Sequence, residues 1–184
     1  GAKPVMWSPV EKTALAEAEV EYEDITSTQI DVAFEIVESP IEELVGAHAV
    51  IWTTTPWTIP VNQALAYGPE VEYELVGFGV GSTGWGPQTK PSDYPGINQL
   101  MVERFLIAKP LVHEFAKRMS ATLTERLKEF GANTITLVPH AEATIKGSDL
   151  AGTKVRHPMH KLGGFYETLR PMLPGDFVTT DSGT

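Results

Sequence analysis

Residues 52–62, Trp52-Thr53-Thr54-Thr55-Pro56-Trp57-Thr58-Ile59-Pro60-Val61-Asn62, constrain this chain more than any other stretch. Four threonines and two tryptophans surround two prolines directly behind the apolar run Ala47–Trp52. Pro56 and Pro60 each remove a backbone donor and push the preceding residue out of the helical region. The run therefore reads as a buried strand that ends in a turn. Two readings of the hydroxyls stand side by side. Thr and Trp favour strands and a proline-punctuated turn is ordinary structure; equally, such a turn presents hydroxyls for recognition.

Composition narrows the classes. A length of 184 residues suits one domain and is ample for a hydrophobic core. The absence of cysteine excludes disulfides, thiolate metal sites and a cysteine nucleophile, and fits a reducing cytoplasm. No apolar run approaches the roughly 18–20 residues that span a bilayer, and the acidic opening does not read as a signal or transit sequence. Gly1-Ala2, without an initiating Met, suggests a piece excised from a longer protein. Fourteen basic against 24 acidic residues give a net charge of −10, which argues against a freestanding nucleic-acid binder.

Along the chain, Glu17, Glu19, Glu21 and Glu23 alternate with Ala18, Val20 and Tyr22, predicting a strand from about Leu15. Further strands are expected at Ile30–Val37, Ala47–Trp52, Ala64–Tyr67, Val71–Phe78, Thr134–Val138, Lys154–Arg156 and Phe177–Thr180. Residues 77–96 hold many glycines and prolines and read as loop. Leu111, Phe115, Met119, Leu123 and Leu127 recur every four residues, the stripe of an amphipathic helix stopped by Gly131. Pro110 either starts that helix or kinks it away from a helical segment near Asn98–Ala108. Gly147–Gly152 reads as a turn. The expected class is mainly β with helices.

Several short patterns carry less than they suggest. Gly79-Val80-Gly81-Ser82-Thr83-Gly84 matches GxGxxG after a predicted strand. A dinucleotide site also needs a helix opening within the glycines, which Pro87, Pro91 and Pro95 forbid, so a cofactor-binding oxidoreductase is disfavoured. His157-Pro158-Met159-His160 pairs two imidazoles without the further ligands a metal needs, and both read as polar loop residues. Lys117-Arg118-Met119-Ser120 falls within the amphipathic helix and reads as structure. No Ser-His-Asp arrangement can be assembled. A threonine hydroxyl without an adjacent base is a poor nucleophile but a versatile hydrogen-bonding group.

The segment WTTTPWTIPVN resembles the threonine-rich segment of the editing domain of isoleucyl-tRNA synthetases, the insertion called the connective polypeptide. Three further segments agree with it in order. Lys3–Ser8, running into Thr13–Tyr22, resembles the strip leading from the catalytic domain. Gly147–Gly152 with His157-Pro158 resembles a later loop, and Asp176–Thr184 resembles the beginning of the last motif. Thr55 followed by Pro-Trp stands where valyl and leucyl relatives carry Arg, which favours the isoleucyl branch.

The resemblance implies a single editing domain over 1–184, with residues 1–22 as a linking strip, a closed β-barrel core decorated by helices, and a C-terminal end cut short. It implies hydrolysis of mischarged valyl-tRNA by water, without metal or cofactor. ATP and magnesium belong only to the absent catalytic domain, whose His-Ile-Gly-His motif is not here. Thr53, Thr54 and Thr55 would be the catalytic residues around the ester and terminal ribose; Trp57, Thr58, Asn62, Asp181, Gly183 and Thr184 would bind substrate. The family's later His and its ammonium-holding Asp would fall beyond Thr184. The implied partners are the aminoacylated acceptor end of tRNA and the rest of the synthetase, in the cytoplasm, with no membrane. The alternative is a non-catalytic module that binds the charged acceptor end. With a charge of −10, tRNA contact should be weak and depend on tethering.

Overall fold

The computed structural model describes residues 5–14, 28–83, 96–128 and 134–178. Two short strands, β1 (Trp7–Ser8) and β2 (Thr13–Ala14), form a hairpin apart from the main sheet. The other strands are β3 (Ile30–Glu38), β4 (His48–Thr53), β5 (Leu65–Tyr67), β6 (Glu72–Thr83), β7 (Phe105–Ala108), β8 (Thr134–Lys146), β9 (Lys154–Arg156) and β10 (Arg170–Pro174). They make one mixed sheet ordered β5-β10-β9-β3-β4-β7-β6-β8. Among the described residues the α-helices are α1 (Ile97–Val102) and α2 (Val112–Leu127).

Strand periodicity decides which residues go inside. On β3, Phe34 and Ile36 are fully buried while Glu35 between them points outward to Arg156. β4 pairs antiparallel with β3, from Ile30↔Thr53 to Glu35↔His48, and Gly46, at φ +84°, makes the return. All eight strands contribute to one interior cluster, among them Phe34, Ala49, Tyr67, Leu75, Leu106, Ile145, Val155 and Met172. A sheet whose two outermost strands share a core is strongly curled. At one end the curl brings the turns together: Gly147 and Ser148, after β8, donate to Val71 and Pro69, after β5. No β5–β8 ladder closes the sheet among the described residues.

A second cluster lies outside the curl, where α2 covers β6, β7 and β8. β6 is buried on both sides: Tyr73 and Leu75 face the interior, Val76 and Phe78 face α2. On β8, an irregularity opposite Leu75/Val76 leaves Glu142 as the extra residue. The added residue reverses the alternation. Leu137 therefore packs beneath α2, whereas Ala143 and Ile145 join the interior. As the edge strand, β8 tolerates Pro139. Its outer amides are not left bare: Ser120 accepts from the Leu137 N–H at 2.9 Å and Thr124 from the Ile135 N–H at 2.9 Å.

The structure revises several expectations. Asn98–Ala108 is not one helical segment, because α1 ends at Val102 and fully buried Phe105–Ala108 form β7. Apolar runs of four are short enough to serve either way; here pairing with both β4 and β6 decides. Glycines 77, 79 and 81 lie inside β6, not in a loop, since ladder bonds to β8 stabilise a stretch that propensity disfavours. β8 runs eight residues beyond Val138. Phe177 and Val178 lie in a turn and its exit and not in a strand. The strand predicted from Leu15 and the Gly131 stop fall outside the described residues.

Candidate functional site

β4 carries Ala49 and Ile51 toward the interior, so alternation places Thr53 on that same face, at the strand's end. Beyond it the chain turns through a 3₁₀ helix, Pro56–Val61, with Pro56 at its first position. The threonines bond locally. The hydroxyls of Thr53 and Thr55 lie 3.1 Å apart, and the Thr55 N–H donates to the Thr53 hydroxyl at 3.0 Å. This is a side-chain turn of the type short hydroxyl residues favour. The Thr58 hydroxyl donates to the Thr55 carbonyl at 2.8 Å. Thr54 and Thr55 are exposed and Thr53 partly so.

Two other predicted residues are placed unevenly. Trp57 is 72% exposed, so it walls no pocket by packing within the described residues. The Asn62 amide donates to the Ala64 carbonyl at 2.8 Å, while its side-chain oxygen is buried with no partner among the described residues. Asp181, Gly183 and Thr184 lie outside the described residues. The structure thus brings Thr53, Thr55 and Thr58 together, with Asn62 at the far end of the same turn.

Two residues that the sequence did not assign to the site hold this turn. His157, read as a polar loop residue, is fully buried. Its Nδ1 accepts the Met159 N–H at 3.0 Å, which leaves Nε2 carrying the proton and donating to the Ile59 carbonyl at 2.9 Å. Both ring nitrogens are therefore committed to backbone, and the paired histidines form no chelate. Arg170, 3% exposed, donates to the carbonyls of Asn62, Thr168 and Phe165 at 2.6–2.8 Å, with its guanidinium 4.4 Å from the Phe165 ring. The signal for Arg170 was a polar residue beside a proline; His157 had in addition its place in the His-Pro pair that carries part of the resemblance.

A concavity of about 310 Å³ is lined by Glu35, His48, Gln99, Glu103, Arg156 and His157 among others; it holds no residue of the threonine turn but shares with it His157. Arg156 there is already paired with Glu35 at 2.6 Å. Among the described residues no cluster of three or more His, Cys, Asp or Glu could hold a metal ion, and no helix is long and apolar enough to cross a membrane.

Comparison with known proteins addresses the resemblance directly. No protein-family model matches the chain. The isoleucine–tRNA ligase of Zymomonas mobilis subsp. mobilis is 44% identical over 184 residues, covering all of this chain and 16% of that protein. Those of Gluconobacter oxydans and Bradyrhizobium diazoefficiens are 45% and 40% identical, again across the entire chain and 16% of each relative. The resemblance carried by the threonine turn is thus one the whole chain bears: from end to end it matches a segment of the isoleucine–tRNA ligases, spanning 16% of their length.

Proposed function

We propose that this chain is the editing domain of an isoleucyl-tRNA synthetase, hydrolysing valine from mischarged tRNA. The observation that carries the reading is the hydroxyl pair of Thr53 and Thr55 at the end of an interior-lining strand, in a chain similar to isoleucine–tRNA ligases over its full length. Binding alone separates isoleucine from valine by one methylene, about 1–3 kcal/mol, a limit for which isoleucyl-tRNA synthetases are themselves the standard example. A second site that excludes the larger side chain supplies the missing accuracy. The curled sheet with its shared interior cluster supports a β-barrel as the scaffold of that site.

On this reading a water molecule attacks the ester carbonyl. The Thr53 and Thr55 hydroxyls orient the ester and the terminal ribose, each able to donate and to accept. Thr54 completes the group, and backbone N–H groups of the turn stabilise the developing oxyanion. Asn62 adds an amide at the far end of the same turn. The partners are the charged acceptor end of tRNA and the remainder of the synthetase, which provides the affinity that an acidic segment lacks.

A second reading, a module that binds the charged end without hydrolysing it, is favoured by the local commitment of the hydroxyls: Thr53 and Thr55 bond each other and Thr58 bonds backbone. Replacing Thr54 or Asn62 by Ala separates the two. Loss of turnover with unchanged binding of valyl-tRNA supports hydrolysis; parallel loss of binding in a chain that never releases valine supports the module.

A further inference from the structure

We propose that His157 and Arg170 are positioning residues, a two-point clamp that sets where the threonine turn lies against the sheet; the inference rests on the editing reading of that turn. The bonds within residues 53–62 do not fix its placement. Thr55 N–H to Thr53, Thr58 N–H to Thr55 and Asn62 N–H to Ile59 all join residues two or three apart. Pro56 and Pro60 have no N–H to offer a neighbouring strand. The β4 ladder holds the turn's first end, with Thr53 opposite Ile30, and these short-range bonds leave its second half free to tilt against the sheet.

Among the described residues, two long-range bonds hold that second half. His157 reaches Ile59 across 98 residues of sequence and Arg170 reaches Asn62 across 108. Both grip carbonyls in the turn's second half. Both also come from one structural unit: His157 directly follows β9 and Arg170 opens β10, with Arg170 opposite Val155 in the ladder. The His157 ring is itself wedged, edge-on to Phe34 at 5.8 Å and 4.9 Å from Tyr166. Phe34 belongs to the interior cluster, so the clamp references the turn to the core.

The chemistry is specific to positioning. Arg170 is bonded by three carbonyls and an aromatic face and by no carboxylate among the described residues. Burying a cation without a counterion is unfavourable, and a residue needed only for packing would do better apolar. A planar fork that joins the Asn62 carbonyl to those of Phe165 and Thr168 instead ties the threonine turn to the 165–168 loop. Its neighbour His157 holds a fixed tautomer because Met159 occupies Nδ1. Displacing reacting groups by about 1 Å lowers turnover about a hundredfold, so loosening this clamp should act on chemistry more than on binding.

The test uses the whole chain and the variants His157→Leu, Arg170→Met, and the conservative His157→Gln and Arg170→Lys. The first readout is NMR of the backbone amides and threonine methyls, which needs no substrate. The expected result is displaced resonances for Thr53, Thr55 and Thr58 in His157→Leu and Arg170→Met, with β6 and β8 unmoved. The second is valine release from valyl-tRNA: kcat falls about ten- to a hundredfold while KM stays within about threefold, and His157→Gln, which retains a donor for Ile59, recovers most of the loss. If His157→Leu and Arg170→Met do not fold, His157→Gln and Arg170→Lys carry the same comparison at smaller amplitude. Unmoved threonine resonances, or moved resonances with kcat intact in an active chain, overturn the clamp. Moved threonine resonances in a chain whose unaltered form releases no valine uphold the clamp and reject the hydrolytic reading instead.

Discussion

Gly147→Ala probes the curl of the sheet, and its cost follows from the geometry. A Cβ at residue 147 would stand 1.9 Å from the Gly68 carbonyl oxygen, 2.9 Å from its carbonyl carbon and 3.1 Å from that of Pro69. All three obstacles are backbone, so no side chain can swing aside. Reaching a tolerable contact requires the two turns to part by about 1 Å, which stretches the 2.8 Å bond from Gly147 to Val71 and the 3.0 Å bond from Ser148 to Pro69. Overpacking of this kind costs about 1–3 kcal/mol, and each weakened hydrogen bond adds about 0.5–1.5 kcal/mol. Reduced unfolded-state entropy in Ala returns about 0.4–1 kcal/mol. The net expectation is a loss of about 2–4 kcal/mol, lowering Tm by roughly 5–15 °C for a domain of this size. Urea and thermal unfolding followed by circular dichroism measure it. Gly81→Ala is the control, because its Cβ would meet only the Thr136 carbonyl at an ordinary 3.7 Å; its effect should stay within about 0.5 kcal/mol. Should Gly147→Ala prove as mild as the control, the close meeting of the two turns is wrong.

Three further outcomes are expected. Thr53→Val keeps the shape of the side chain but removes the hydroxyl that bonds both the Thr55 hydroxyl and its N–H; valine release should drop about tenfold or more, with stability changed by only about 1 kcal/mol. Burial raises the Tyr73 hydroxyl above its ordinary 10.0, against a lowering by the Gly68 N–H bonded to it and with a smaller raising by Tyr67. Because the folded value is the higher, that contribution to stability is complete below pH 10.0 and is lost as pH climbs through the folded value. Tyr73→Phe should flatten this alkaline decline in urea titrations, at a cost near neutrality of about 1–2 kcal/mol for the unbonded Gly68 N–H. Asp31→Asn weakens the two-pronged bond that ties α2 to β3 through Arg118, at 2.7 and 3.1 Å. The partners are 16% and 32% exposed, so solvent screening limits the loss to about 1 kcal/mol, read as a shift in urea midpoint.

Local pattern revealed those elements whose own residues decide their structure. The four-residue stripe of α2 and the alternation on β3 each record a single buried face, so both were legible. β7 was not, because Phe105–Ala108 is buried on all sides and shows no period. The glycines of β6 look like loop until β8 is known to lie beside them. β10, with prolines 171 and 174, violates strand propensity and exists through its pairing with β5 and β9. The same divide runs through the site. The threonines announced themselves, being concentrated within ten residues, whereas His157 and Arg170 act on Ile59 and Asn62 across about a hundred residues, and nothing local to either points to the turn. Trp57 shows the converse: an aromatic beside the threonines suggests a packed wall, yet its position on the 3₁₀ turn leaves it in solvent.

A hydrolytic sieve must tell two esters apart on this chain. Valine release from valyl-tRNA specific for isoleucine is measured at high protein concentration, alongside isoleucine release from the correctly charged tRNA. Valine should be freed and isoleucine spared, with the difference abolished in Thr53→Val. Equal hydrolysis of both esters would contradict size exclusion, and release of neither would contradict the proposal that this chain carries the hydrolytic site.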